Sequence, residues 1–473
     1  MKLKNLGNIT VCFVFALCVA QGAWAADFAV DFTKELGKVR RLNGLCNTAR
    51  MNNTMRKKSD MLPRFAELDI PLVRYHDAAS ENPGYALVDI SRIFPLMHLD
   101  ADDPRNYIFG PTDDYILRTL ATGAKVEFKL GEQIEHSERK YRVKPPADLG
   151  KWVDVCLHII RHYNEGWANG FRHGIRRWSI WEEPNINEIL DCEDHIGTYC
   201  RMYAALSRAV KREFPGLQVG GPADNGENWD FRREFVERCR KEDLPLDFLL
   251  FDHYTRDPED LRNAVIRTRK LLDDNGYGKT ELGVSEWHYG PTSWAAIQDN
   301  PTLYRETMSD LHGIDSGVYA SSVLSRLQDS PADDLFYYRA SGIWGLVNGS
   351  ERRDAWYAFK AFAILADKGE AIRVAAPSLA DAGRYVLAAK HGGRGYVMVS
   401  NFRRADACRV ALLGASGVES VKVLDARRKL EDYDYWDGRK DVRELELIAP
   451  PGSSSSLFLI EVTLANSCEA GKG

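Results

Sequence analysis

From about residue 39 the chain alternates short β-rich runs with amphipathic helical stretches, and this alternation restricts the fold to parallel βα units. The runs are Val39–Gly44, Pro71–Tyr75, Lys125–Lys129, Ile175–Trp181, Leu217–Gly220, Asp247–Phe251, Glu281–Ser285 and Leu335–Tyr338, the last continuing towards Trp344. Between them, stretches such as Leu149–Tyr163, Gly197–Phe214 and Pro258–Asp274 carry apolar residues at helical spacing. Trp152, Val155, Cys156, Ile159, Ile160 and Tyr163 mark the first of these, and Trp356–Leu365 closes the ring. Eight such units imply a (β/α)8 barrel, an α/β fold. After it the texture changes. Arg384–Ala389, Gly395–Ser400 and Ser455–Val462 read as short alternating strands between Gly, Pro and Asp turns, the pattern of an antiparallel β-sandwich. The reading therefore divides the chain into residues 1–25, a barrel over 26–369 and a sandwich over 370–473.

In a barrel of this kind the chemistry sits at the carboxyl ends of the strands. Two glutamates stand there. Glu183, in Trp181-Glu182-Glu183-Pro184-Asn185, follows the fourth run, and Glu286, in Ser285-Glu286-Trp287, ends the seventh. Two carboxylates in one cleft are what glycoside cleavage needs: one protonates the leaving oxygen, the other attacks the anomeric carbon or activates water. The flanking tryptophans supply the flat faces on which sugar rings stack.

The remaining composition narrows the field. Lys2 and Lys4, the apolar run Ile9–Ala20 and the small residues Ala23 and Ala25 make residues 1–25 a secretory signal, which predicts an exported protein, periplasmic or secreted. That run is too short to span a membrane comfortably and no other segment is long enough, so membrane insertion is not expected. Removing Lys2 and Lys4 takes the formal charge from −5 to −7, a balance with no bulk attraction for nucleic acid. Loss of Cys12 and Cys18 from nine cysteines leaves seven, an odd and scattered set; Cys192 and Cys200 are near enough in sequence to pair in an oxidising compartment. No metal-ligand spacing such as CxxC or HExxH occurs, and no cofactor or metal is expected.

With these residues in view, the chain resembles clan A retaining glycoside hydrolases, and most of all family 39, which contains β-xylosidases and α-L-iduronidases. The likeness rests on Trp181–Asn185, on Ser285–Trp287 and on Asp247–Tyr254. Val73–Asp77 is similar to the family's second-strand element and Arg353–Lys360 to its final helix. It covers the chain beyond the signal, since the family also carries a β-sandwich after the barrel. The resemblance implies that Glu183 is the general acid/base and Glu286 the nucleophile. It implies that Tyr254 hydrogen-bonds the nucleophile and that His76, His253 and Asn185 line the sugar site. Trp287 beside Glu286 and Trp344 at the end of the eighth strand are read from their positions as stacking surfaces for the sugar. One position departs from the family. Glu182 stands where the family has Asn, whose amide contacts the sugar hydroxyl beside the anomeric carbon; an ionised carboxylate accepts hydrogen bonds but donates none. Glu182 either accepts from the substrate or turns to an arginine such as Arg74 or Arg177. The expected substrate is a polysaccharide-derived oligosaccharide, cleaved in exo fashion by double displacement. An endo-acting glycanase of the same clan, or a carbohydrate-binding protein without activity, are the other readings.

Overall fold

The computed structural model describes residues 26–48, 62–78, 87–226, 228–290, 297, 300–449 and 451–465. The signal segment 1–25 lies outside them. After a first strand, β1 (Phe28–Lys38), eight parallel strands close a barrel in chain order. They are β2 (Gly44–Cys46), β3 (Leu72–Arg74), β4 (Lys125–Leu130), β5 (Arg177–Ile180), β6 (Gln218–Asp224), β7 (Phe248–Thr255), β8 (Glu281–Tyr289) and β9 (Asp334–Tyr337), with β2 pairing back onto β9. The expected run Val39–Gly44 is displaced: the barrel strand begins where that run ends. Residues 39–43 cross the barrel floor instead, because Arg40 donates to the carbonyls of Gln328 and Ser330 at 3.2 and 2.7 Å.

The helices begin where the sequence supplies caps. Asp148, Asp194, Asn228 and Asp257 each accept from a backbone N–H of the first turn at 2.9–3.1 Å, which satisfies donors the helix leaves open. In the helix Leu149–Asn164 the predicted stripe from Trp152 to Tyr163 is buried against the strands. Strand alternation then sorts the barrel's two faces. Tyr75, Phe128 and Trp178 point outward into the helix layer, where Tyr75 meets Tyr115 and Phe128 meets Tyr163.

The inward positions are split. Cys46, Ala223, Phe248, Leu250 and Phe336 fill one side with apolar volume. The other side holds a column of charge. Arg177 contacts Glu127 at 3.0 Å and Asp334 at 3.2 Å and pairs with Glu281; above it Arg74 lies 3.4 Å from Glu127. Such pairs survive burial only because each charge has a partner.

The second domain is one ten-stranded, mostly antiparallel sheet whose two halves pack face to face as a sandwich. Its path runs Lys429–Asp432, Ala415–Leu424, Ser456–Leu464, Arg394–Asn401, Arg384–His391, Ile372–Ala375, then β1, Cys408–Leu413 and Glu444–Leu447, with the tenth strand, Ser378–Leu379, pairing onto Arg384–His391 off this path. The sequence reading gives residues 26–38 to the barrel; β1 instead joins this sheet, antiparallel to Ile372–Ala375 and parallel to Cys408–Leu413. Its inner face, Phe28, Val30 and Phe32, is buried in the sandwich core, so the apolar set finds its partners there. The two domains share a continuous core through the helices Ile314–Arg326 and Asp354–Ala366, and Ser321 Oγ meets Ser400 Oγ at 2.7 Å.

Candidate active site

The two glutamates reach the barrel mouth by different local devices. Beyond β5 the chain turns sharply, with Trp181 at φ 63° and Glu183 at φ 32°, a left-handed backbone that costs free energy for non-glycine residues and is characteristic of functional sites. The turn is held by Glu183 N–H, which donates to Ala223 O on β6 at 2.9 Å. On β8 the device is a bulge. Phe251 pairs with Val284 and Asp252 with Glu286, which leaves Ser285 as the extra residue. A single added residue reverses the side-chain alternation beyond it. Ser285 and Glu286 therefore both face the interior: Ser285 Oγ donates to Asp252 Oδ1 at 2.6 Å, and Glu286 meets groups that follow β3 and lie on β7.

Glu286 is gripped from two sides. Tyr254 donates its hydroxyl to Oε2 at 2.5 Å, and His76 Nε2 lies 2.8 Å from Oε1. The same imidazole places Nδ1 3.3 Å from Glu182 Oε2 and Nε2 3.1 Å from Asp77 Oδ2. Burial alone would push the His76 ring towards neutrality, but Asp77, Glu182 and Glu286 together hold it well above the ordinary histidine range. Glu182 is fully buried and pairs with the equally buried Arg74. Burial works against its charge, and Arg74 with His76 overcomes this and brings its pKa down to about 2.

Glu183 behaves in the opposite way. Burial of its carboxyl comes first, then the charges of Glu286 and Glu182, and they hold its pKa well above the usual carboxylate range. Two acids in one cleft, one kept protonated and one clamped by a tyrosine and an imidazole, are a division of labour suited to acid and nucleophile. Asp252 is a third acid kept neutral, by burial and then by Glu286, Glu183 and Glu182. It sits behind the bulge and takes the Ser285 hydroxyl.

The other positions expected from the sequence scatter. His76 and Tyr254 are in the site. Asn185 bonds Asn225 instead, donating through Nδ2 at 2.6 Å and accepting from the Asn225 N–H at 3.2 Å, which ties the β5 loop to the end of β6. His253 points away from the site because Asp252 and Tyr254 on either side point in; its Nε2 meets Asp260 at 2.9 Å. Trp287 is wholly buried on the outer face, against Tyr337 and Phe359. Trp181 is also buried, with its indole N–H donating to Ile189 O at 2.9 Å. Neither tryptophan beside a glutamate offers a face to a ligand, which corrects the stacking role read from the sequence. Trp344 is different: it stays partly exposed, edge-on to Tyr254 and Tyr338 with ring centroids 6.2 and 6.4 Å away. Arg74, Asp77 and Asp252, which lie within the family-like stretches without a catalytic or sugar-binding role implied there, join the site together with Glu127 of β4. Cys192 and Cys200 are free thiols.

Among the described residues, His76, Glu182 and Glu286 bring ligand-type atoms within 4.8 Å of one another, a grouping that could hold a metal ion. Here the imidazole already faces a carboxylate with each nitrogen and Arg74 neutralises Glu182, so these donors are spent on one another. No helix among the described residues is long and apolar enough to cross a membrane.

Residues 65–270 match the model of glycosyl hydrolases family 39. A β-xylosidase of Geobacillus stearothermophilus is 29% identical over 182 residues, 33% of this chain and 34% of the relative. A β-xylosidase of Caldicellulosiruptor saccharolyticus is 20% identical over 239 residues, 48% of this chain and 46% of the relative. The chain thus spans between a third and a half of the curated relatives it matches. The fold likeness is fuller. A glucosidase from Croceicoccus marinus superposes with a TM-score of 0.75 at 23% identity, over 94% of this chain and 100% of that one. A family 39 β-xylosidase from Caulobacter crescentus gives 0.67 at 19%, over 92% and 99%. Over residues 65–270 the sequence is family-39-like, and the fold, a closed barrel with a β-sandwich, is shared with these solved structures.

Proposed function

We propose that this protein is a retaining, exo-acting glycoside hydrolase of the β-xylosidase type, with Glu183 as general acid/base and Glu286 as nucleophile. The observation that carries the reading is the contrast between the two carboxyls: one is held protonated beside the other, which is gripped by Tyr254 and His76. Glu183 protonates the leaving oxygen while Glu286 attacks the anomeric carbon; water, deprotonated by Glu183, then releases the glycosyl-enzyme. The substrate class follows the relatives and structural neighbours, three of which are β-xylosidases and one a glucosidase. Trp344 at the rim suits a sugar ring. We read residues 1–25 as an export signal, so that the enzyme meets oligosaccharides outside the cytoplasm.

Nitrophenyl glycosides test this. Release of nitrophenol from β-xyloside or β-glucoside, with product of retained anomeric configuration seen first by NMR, is the expected result. Inverted product, or no cleavage across the panel, contradicts it. Exo action predicts single sugars from the non-reducing end of an oligosaccharide from the earliest time points.

A further inference from the structure

We propose that Glu182 is a positioning residue: from behind His76 it fixes the imidazole as a charged bridge between two carboxylates and so aims and steadies Glu286. This rests on the reading of Glu286 as nucleophile. Three observations carry it. Glu182 is wholly buried beneath Arg74 and His76 and is closed off from solvent. Its Oε2 lies 3.3 Å from Nδ1, while Asp77 and Glu286 both lie on the Nε2 side, at 3.1 and 2.8 Å. A neutral ring protonated on Nε2 would satisfy that side alone. Among the described residues only Glu182 faces Nδ1 with a charge that calls for the second proton, and an amide at this position carries no such charge.

The groups around the ring agree. From β2 comes Cys46, whose thiol burial and the neighbouring carboxylates keep protonated and neutral. Lys129 of β4 bears on Asp77 and Glu182. Glu183 beyond β5 is protonated, Asp252 of β7 is neutral, and the Tyr338 ring lies 5.7 Å from the imidazole. Arg74 is spent on Glu182 and Glu127, and Arg339 bears on Asp77. The ring is thus the titratable positive charge between ionised carboxylates, and His76 in turn moderates the repulsion between Glu286 and the Glu183 site.

The test is 15N NMR of the full-length protein labelled at histidine, with His76 assigned from the His76→Gln spectrum. In the wild type both ring nitrogens should carry protons at neutral pH. In Glu182→Gln one proton should be lost within the neutral range, and Glu182→Asp, which keeps the charge, should restore the doubly protonated ring. In parallel, kcat/KM for Glu182→Gln should fall roughly ten- to hundred-fold, and Glu182→Asp should recover part of it. A wild-type ring that is neutral at pH 7 overturns the proposal, and this measurement needs neither Glu182 variant to fold. A Glu182→Gln ring that stays doubly protonated overturns it as well. If no glycoside is cleaved by the wild type, the enzymatic reading fails while the NMR result still decides the charge bridge.

Discussion

The Tyr254 hydroxyl donates to Glu286 Oε2 at 2.5 Å, from the neighbouring strand and two residues beyond Asp252. That bond joins β7 to β8 across the bulge and leaves the carboxylate with its other oxygen towards His76. Hydrogen bonds to a charged acceptor contribute about 1.5–3 kcal/mol. Tyr254→Phe should therefore lower kcat/KM roughly ten- to hundred-fold. An unchanged kcat/KM would remove Tyr254 from the reaction.

Glu183 is expected to reveal itself through the leaving group. Glu183→Ala should slow substrates with poor leaving groups severely and nitrophenyl substrates far less, because only the former need the proton. Azide should restore turnover by attacking the glycosyl-enzyme directly and yield a glycosyl azide. Equal losses across leaving groups, with no azide product, would assign the proton to another residue.

The neighbouring charge that raises the Glu183 pKa also predicts a pH response. Activity falls as pH rises past the point where Glu183 loses its proton, and burial, Glu286 and Glu182 push that point upward. In Glu286→Gln the carboxyl of Glu183 should titrate at lower pH than in the wild type. Infrared difference spectra of the two proteins read this directly.

Stability carries its own signature of the Arg74–Glu182 pair. Glu182 has its pKa lowered to about 2 in the folded protein from an ordinary 4.5. Its contribution is thus fully present above the unfolded value and is lost as pH falls through the folded one. Removing one partner of a buried pair costs about 3–5 kcal/mol, so Glu182→Gln should be less stable by that order at neutral pH. The gap should close as pH is lowered. Urea denaturation of both proteins at several pH values measures it.

How far the site is legible in the sequence depends on whether its causes are local. The strand ends bearing Glu183 and Glu286 are readable because an apolar run followed by an acid is a local pattern. The likeness to family 39 points to His76 and Tyr254, and both stand against Glu286. The fates of Trp181 and Trp287 are not readable. The facing of residues beyond the β8 bulge depends on a feature that leaves no mark in the composition of Ser285-Glu286, and Trp181 is turned by a backbone held through contacts to Leu130 on β4 and Ala223 on β6. His253 escapes for a related reason, since its neighbours on β7 claim the inward positions. For Glu182 the sequence leaves a choice between a substrate and an arginine; the deciding partner, Arg74, is remote along the chain and only the closed barrel brings it near. The place of β1 is hidden although Phe28, Val30 and Phe32 alternate cleanly. Its partners lie in the distant second sheet, and order along the chain favours the barrel.

The most direct measurement is the identity of the carboxylate that takes the sugar. A 2-deoxy-2-fluoro glycosyl fluoride slows release of the glycosyl-enzyme, so the intermediate accumulates and survives digestion. Mass spectrometry should find one fluoroglycosyl group on the peptide containing Glu286, with activity lost in step with labelling. A label on Glu183, or inactivation with no covalent adduct, would contradict the assignment of Glu286 as nucleophile.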